Sequence, residues 1–177
     1  MSYFFPGVAL ITGSASGIGQ GIAIAFAKDG CKKIALWDRN TEGLNETQGL
    51  IKQIASDCEV LCLFVDLQEE SQVQDVITRV VDKFGRVDYA VNTAGIEGND
   101  LPSAETDTSH FDMVNRINYR GCWLSSKYEI SQMLKQEPLP THDGRPGNRG
   151  SIVNIASQLA FVSRPNAGEF NLTMKRN

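Results

Sequence analysis

The sequence has no long hydrophobic run, and none of its apolar stretches approaches the roughly 18 residues that a membrane-spanning helix needs. It also lacks basic excess: 17 Lys and Arg residues stand against 21 Asp and Glu residues, and no basic cluster marks a nucleic-acid surface. Its cysteines form no CxxC pair and no Cys/His metal spacing. These absences argue against a membrane protein, a nucleic-acid-binding protein and a metal site, and they predict reduced thiols in the cytoplasm.

The apolar residues fall into segments that alternate between strand-like and helix-like periodicity. The first segment, in MSYFFPGVALITG, has no basic region before it and runs into a glycine turn, which predicts a strand rather than a signal peptide. Predicted strands cover 8–11, 33–37, 60–65, 87–91 and 151–155. Predicted helices cover 17–28, 41–56 with Thr41 as its N-cap, 69–84 and 108–135, the last with a break near its start left open. The alternation predicts an α/β fold: a Rossmann-like, doubly wound parallel sheet of about five strands in the order 3-2-1-4-5.

The turn between the first predicted strand and helix is rich in glycine and reads TGSASGIG over residues 12–19. Gly13 permits a tight turn, Gly17 lets the backbone approach a pyrophosphate, and Gly19 lets the helix pack closely on the sheet. A glycine turn without a ligand is the alternative, but the strand–turn–helix context favours a dinucleotide site. The predicted contacts in this turn are Gly13, Ser14, Ser16, Gly17, Ile18 and Gly19.

The acidic residue at the end of the second strand bears on which dinucleotide is bound. Asp38 lies nineteen residues after Gly19. A carboxylate there accepts hydrogen bonds from the adenosine ribose and repels a 2′-phosphate. Arg39 follows immediately and can instead turn toward a phosphate. The two residues therefore favour NAD and leave NADP possible.

The glycine spacing resembles the TGxxxGIG loop of the short-chain dehydrogenase/reductase family, and further motifs follow in that family's order. Residues 66–67 resemble the pair whose Asp contacts adenine. Residues 92–95, NTAG, resemble the family's NNAG motif, with Thr93 in place of the second Asn. The run SQLA at 157–160 resembles fungal members of the family. The resemblance implies cofactor contacts from Asp66, Leu67, Asn92, Ala94, Gly95 and, on the long helix, Lys127.

The resemblance also implies catalytic residues. Asn118 resembles the helix Asn that anchors a proton-relay water, and Ser157 resembles the Ser that polarises the substrate carbonyl. The family's Tyr, its general acid and base, stands thirteen residues after that Ser, and a Lys four residues later lowers the Tyr pKa. In this sequence the two positions hold Phe170 and Met174.

Residues 168–177 do not continue the family pattern. The predicted NAD(P)-binding domain therefore covers residues 1–167, lacks the family's C-terminal strands and helices, and ends in a tail foreign to the family. We expect an exposed fifth strand and a compromised homodimer contact, because the family pairs the long helix with one that is absent here. A natural truncation, a frameshift and a retained intron all remain open as origins, since residues 168–170 can be encoded by a splice-donor sequence.

Two functions remain open from the sequence. The first is an NAD(P)-dependent oxidoreductase that interconverts an alcohol and a ketone, impaired in this chain because Tyr-x-x-x-Lys is absent. The second is a non-catalytic relative that binds a nucleotide or a protein partner. Dehydrogenase activity after the Tyr-x-x-x-Lys helix is restored would favour the first function. A measurable partner without that helix would favour the second.

Overall fold

The computed structural model describes residues 5–141, 145, 147–162 and 164–170 of the 177-residue chain. The strands are β1 (Val8–Thr12), β2 (Lys33–Asp38), β3 (Glu59–Phe64), β4 (Tyr89–Asn92) and β5 (Ser151–Asn154). The helices are α1 (Gly17–Lys28), α2 (Thr41–Ile54), α3 (Glu70–Phe84), α4 (Thr108–Val114) and α5 (Cys122–Met133). All five strands are parallel and lie in the order β3-β2-β1-β4-β5, so the predicted α/β fold and strand order are confirmed.

Side chains from the central strand alternate between the two faces of the sheet. Val8 and Leu10 of β1 pack in the cluster that includes side chains of α3 and α5. Ala9 and Ile11 pack in the cluster that includes side chains of α1 and α2. Every residue of β1 is buried, as expected for a parallel strand covered by helices on both faces. The molecule therefore has three layers, with the sheet in the middle.

The register of the sheet brings the carboxyl ends of three strands together. Thr12, the last residue of β1, pairs with Trp37 of β2 on one side and with Asn92 of β4 on the other. After β1 the chain enters α1, which packs on one face of the sheet. β2 and β4 pair with opposite edges of β1. Parallel doubly wound sheets bind ligands at such a reversal of strand order. The fold thus places the glycine-rich turn beside the ends of β2 and β4.

Two predicted helix boundaries need correction. Thr41 is not the N-cap of α2, because Asn40 precedes it and its side-chain oxygen accepts a hydrogen bond from the Gly43 N–H at 3.1 Å. Asn is among the preferred N-cap residues, since its short side chain reaches the free amides of the first turn. The predicted helix over 108–135 ends two residues earlier, at Met133. It is helical throughout, but its hydrogen bonding changes from α4 to a π-helix over Asn115–Gly121 and back to α-helix in α5.

The fifth strand forms one edge of the sheet in the described part of the chain, and pairs with β4 alone. Val153 in this strand is 51% exposed although it is apolar. An exposed apolar edge is a template for strand addition. None of the helices among the described residues combines the length and apolar character that a bilayer crossing requires.

Candidate functional site

An open cleft of about 100 Å³ lies at the carboxyl ends of the strands. Six of the residues predicted as cofactor contacts line it: Gly13, Asp38, Asp66, Leu67, Ala94 and Gly95. The sequence analysis missed other lining residues, among them Thr12, Trp37, Val65, Ile96 and Ile117. Most of these are apolar, and their sequence environment marks them only as core residues. Their place beside the cleft follows from the strand order, which no local pattern shows.

The glycine-rich turn is packed so tightly that two of its positions exclude a side chain. Gly13 has φ +67°, and a Cβ atom there would lie 2.7 Å from Ala94 Cα. A Cβ atom on Gly19 would lie 2.2 Å from the carbonyl oxygen of Gly13. Gly17, with φ +55°, has no atom within 4 Å of that position, so its backbone is open to solvent. The turn is therefore closed against the protein and open on the cleft side.

The N-terminus of α1 leaves its amides available. Ser16 is the N-cap residue, but its side chain makes no capping hydrogen bond among the described residues, and the first turn contains no acidic side chain. Ile18 is 64% exposed beside it. Ser14 is buried and points inward, where its hydroxyl donates to the Trp37 carbonyl at 3.3 Å. A helix of twelve residues with uncapped amides and no acidic first turn is suited to bind an anion.

The carboxylate of Asp38 is held in place by backbone amides. One oxygen accepts from the Ala15 N–H at 3.1 Å, and the other accepts from the Asn40 N–H at 3.0 Å. Asp38 thereby connects the end of β2 to the glycine-rich turn, and it places a negative charge on the cleft wall. Arg39 lines the same cleft. The site thus presents one anionic and one cationic side chain at the end of β2.

The loop after β4 is tied to β1 through two threonines. The Thr12 hydroxyl oxygen accepts from the backbone N–H groups of Thr93 and Ala94, both at 3.1 Å. The Thr93 hydroxyl donates to the Thr12 carbonyl in return. This contact gives Thr93 a structural role at the position where the family motif has Asn.

Asn118, in the π-helix, fixes the next part of the same loop. Its side-chain oxygen accepts from the Ile96 N–H at 2.8 Å, and its side-chain nitrogen donates to the Ile96 carbonyl at 2.8 Å. Asn118 is buried. π-Helical turns occur most often at functional sites, and here the turn presents this amide to the cleft wall.

Asn92, Lys127 and Ser157 are predicted site residues that are not among the residues lining the cleft. Asn92 is buried and its side chain points toward α5, where it donates to Glu129 at 3.0 Å. Lys127 pairs with Glu70 of α3 at 2.8 Å, which raises the pKa of the lysine, and its contact with a cofactor stays a prediction. Ser157 follows β5 and begins a 3₁₀ turn, where its hydroxyl accepts from the Leu159 N–H at 3.2 Å.

The described part of the predicted tail is helical and contacts the loop that follows β4. Residues 168–170 form a helical turn. Glu169 is buried, accepts from the Asn99 N–H at 3.1 Å, and lies 3.8 Å from Nε2 of His110. Phe170, at the position of the family's Tyr, lies in this turn. Met174 lies outside the described residues.

The sheet order and the cleft at the carboxyl ends of the strands define a Rossmann-like, doubly wound α/β protein. The chain belongs to the short chain dehydrogenase family of oxidoreductases, because that family's model matches residues 7–170. The match extends three residues beyond the predicted domain boundary at 167 and ends at Phe170.

Named relatives share about a third of the aligned residues. Levodione reductase from Leifsonia aquatica is 35% identical over 154 residues, which are 87% of this chain and 53% of the relative. Short-chain dehydrogenase srdC from Neurospora crassa is 33% identical over 166 residues, which are 90% of this chain and 60% of the relative. The chain therefore spans between half and two thirds of the length of these relatives.

Solved structures of similar proteins give the same fold. The crystal structure of levodione reductase has a TM-score of 0.88 at 32% identity, and the similarity covers 97% of this chain and 62% of the other. The structure of NAD⁺-bound xylitol dehydrogenase has a TM-score of 0.87 at 28% identity, covering 98% of this chain and 61% of the other. An actinorhodin polyketide ketoreductase variant with NADPH has a TM-score of 0.83 at 27% identity, covering 96% and 60%.

Proposed function

We propose that this chain is the nucleotide-binding part of an NAD(P)-dependent dehydrogenase that interconverts an alcohol and a ketone by hydride transfer. The observation that carries the proposal is the glycine-rich turn, which is closed against the protein by Gly13 and Gly19 and opens at the uncapped N-terminus of α1. Such a turn accepts a pyrophosphate between backbone amides. Asp38 on the neighbouring wall supplies the acceptor that ribose hydroxyls need.

The residues of the cleft divide by the chemistry they offer a dinucleotide. The turn from Gly13 to Gly19 would hold the pyrophosphate, Asp38 the adenosine ribose, and Asp66 the adenine, in line with the family resemblance. Leu67, Ala94 and Gly95 supply small or apolar walls. The bound nicotinamide would accept or deliver the hydride.

The choice between the two nicotinamide cofactors depends on the end of β2. Similar proteins have been solved with each one: xylitol dehydrogenase with NAD⁺ and the polyketide ketoreductase with NADPH. In this chain both oxygens of Asp38 are oriented by backbone amides, so a fixed carboxylate faces the cleft. A fixed negative charge repels a 2′-phosphate. We therefore favour NAD.

The chain's own residues support only part of the reaction. The Ser157 hydroxyl would polarise a substrate carbonyl, and Asn118 would hold the loop at Ile96 in place. Proton transfer at the substrate oxygen needs a group that titrates, and Phe170 has none at the position of the family's Tyr. The proposed dehydrogenase is therefore impaired as it stands.

Cofactor binding is testable by tryptophan fluorescence. The chain has two tryptophans: Trp37 is buried and lines the cleft, and Trp123 is 57% exposed on α5. In a Trp123→Phe variant, we expect saturable quenching of Trp37 by NADH. Adenosine alone should compete weakly, because it lacks the pyrophosphate. Emission that stays constant up to millimolar NADH, in a chain that circular dichroism shows to be folded, would contradict the proposal.

The cofactor preference is testable by Asp38→Ser. We expect the Kd for NADH to rise about tenfold or more, because hydrogen bonds to a charged group contribute roughly 1.5–3 kcal/mol, while the Kd for NADPH rises less or falls. Asp75→Ser, an exposed change of the same chemistry on α3, should leave both unchanged. Thermal melting of the variant shows whether a weaker affinity reflects the lost hydrogen bond to the ribose or a fold destabilised by loss of the Asp38–Ala15 contact. An unchanged NADH-to-NADPH ratio in Asp38→Ser would refute the preference.

A non-catalytic nucleotide-binding protein is the second candidate. The specific observation in its favour is Phe170, which keeps an aromatic ring at the Tyr position and removes the titrating hydroxyl. This function predicts saturable NADH binding with no turnover after the Tyr and Lys are restored.

A further inference from the structure

A cluster of polar side chains lies between the ends of β4 and β5 and the helix α5: Asn92 and Glu129 are buried, Ser126 is half-buried and Asn154 is exposed. Asn92 is its centre: its side-chain nitrogen lies 3.0 Å from Oε2 of Glu129 and 3.0 Å from Oδ1 of Asn154. The Ser126 hydroxyl donates to the same Asn154 oxygen at 3.3 Å. Asn92 and Asn154 are register partners at the last positions of β4 and β5. The cluster therefore joins both strands to α5.

The cluster lies next to segments that build the proposed site. Asn92 immediately precedes Thr93 and Ala94, whose amides bind Thr12 and whose loop lines the cleft. Asn154 precedes Ser157 by three residues. Asn92 is therefore one peptide bond away from the loop that would contact the cofactor.

Glu129 is unusual in this setting because it is fully buried. Asn92 donates to one of its oxygens, while the other, Oε1, has no hydrogen-bond partner in the described part of the chain. Oδ1 of Asn92 and the Ser125 hydroxyl are also buried without a hydrogen-bond partner in the described part of the chain. Ser125 lies one helical turn before Glu129, on the same face of α5. The Asn92 oxygen can only accept, so a proton on Oε1 of Glu129 would add a hydrogen-bond donor to this group of buried atoms.

In the described part of the chain, no cation forms an ion pair with the Glu129 carboxylate, whose hydrogen-bond donor is Asn92. The charged groups that α3 and the π-helix present near α5, Glu70 and Arg120, pair with each other, and Lys127 also pairs with Glu70. From α5 itself, the nearby Cys122 thiol stays neutral, since burial raises its pKa to about 11. β4 and β5 contribute the side-chain amides of Asn92 and Asn154, which carry no charge. Burial accordingly raises the pKa of Glu129 to about 7.

We infer that Glu129 is a positioning residue for the loop that follows β4. In its protonated form, Glu129 holds this loop, through Asn92, in the arrangement that binds the dinucleotide. The inference rests on the proposed function and adds a control of cofactor affinity by pH near neutrality. A buried carboxylate that loses its proton must find new donors or admit water. Either response moves Asn92 and weakens the loop. By linkage, cofactor binding then favours the protonated carboxyl and takes up a proton.

The sign of the stability effect follows from the same pKa. The folded chain retains this proton up to about pH 7, whereas an unfolded Glu releases it near its ordinary pKa of 4.5. The neutral carboxyl therefore stabilises the folded state relative to the ionised one, and this contribution is lost as pH rises between these values and through about 7. Glu129→Gln, which cannot ionise, should not show the loss.

The test compares the wild-type chain with Glu129→Gln and with Glu46→Gln, an exposed change of equal charge on α2. Trp37 quenching gives the Kd for NADH between pH 5.5 and 8.5. For the wild type and Glu46→Gln we expect affinity to fall about fivefold or more as pH rises, within the usual range of coupling between sites. Glu129→Gln should keep the affinity that the wild type shows at low pH throughout.

A second measurement uses the unaltered chain, in case Glu129→Gln does not fold. Calorimetry of NADH binding at pH 7 in two buffers of different ionisation enthalpy reports proton uptake, and we expect a fraction of one proton taken up. NADH binding without proton uptake, or with an equal pH dependence in Glu129→Gln, overturns the inference while leaving the proposed function intact. A folded chain that binds no NADH at any pH contradicts the proposed function and, with it, this inference.

Discussion

A chain with Phe170→Tyr and Met174→Lys is expected to gain dehydrogenase activity of about 10² to 10⁴ over the parent chain. That is the usual contribution of a positioned general acid and base. The Tyr ring would occupy the place of the Phe170 ring and add the titrating hydroxyl. The Lys, four residues later, would supply the positive charge that lowers the Tyr pKa. NAD⁺ reduction with a panel of secondary alcohols measures the gain.

Three controls make the result interpretable. Phe170→Leu changes the ring without adding a hydroxyl and should give no gain. Ser157→Ala in the doubly substituted chain should remove most of the gain, because the carbonyl loses its polarising hydroxyl. NADH affinity should remain at the parent value in each. Absence of any gain in a chain that still binds NADH would instead support the non-catalytic function.

Gly19→Ala is expected to abolish detectable NADH binding and to lower the free energy of unfolding by about 1–3 kcal/mol, the usual cost of overpacking a tight interior. The added Cβ atom would lie 2.2 Å from the Gly13 carbonyl oxygen and 2.7 Å from the Thr93 hydroxyl. Neither the backbone nor the bonded hydroxyl can yield without moving the turn or the loop after β4. Urea unfolding followed by circular dichroism, together with Trp37 quenching, measures both effects.

Gly21→Ala is the matched control two residues further along α1. A Cβ atom there meets nothing within 4 Å, and the position is exposed. The substitution should raise the free energy of unfolding by up to about 1 kcal/mol, since Ala is the better helix former. NADH affinity should stay the same. Equal losses in the two variants would show that the close packing of the turn is not what binding requires.

The strands and the glycine-rich turn were predictable because both leave a local record in the sequence, and the strand order follows from the usual connections of a doubly wound sheet. Buried parallel strands read as short apolar runs, and a turn that excludes Cβ atoms admits only glycine at Gly13 and Gly19. The π-helical hydrogen bonding over Asn115–Gly121 left no such record, since the segment contains no proline. Its register depends on the contact of Asn118 with Ile96, 22 residues away.

Side-chain directions were the least predictable part of the site. The motif at 92–95 indicates a loop near the cofactor, yet Asn92 itself points to Glu129, 37 residues later. Nothing in the pattern of α5 marks Glu129 as buried, because a charged residue on a helix is usually exposed. The direction of the Lys127 side chain is likewise set by its pairing with Glu70, 57 residues earlier. Such contacts are set by how α3 and α5 pack on the sheet.

The strand order β3-β2-β1-β4-β5 has a consequence for synthesis of the chain on the ribosome. Each strand after the first pairs with one that has already been translated: β2 with β1, β3 with β2, β4 with β1 and β5 with β4. No strand has to wait for a later one or be inserted between two that are already paired. The sheet can therefore grow outward from β1 at the pace of translation, with one open edge on each side as the next strand emerges.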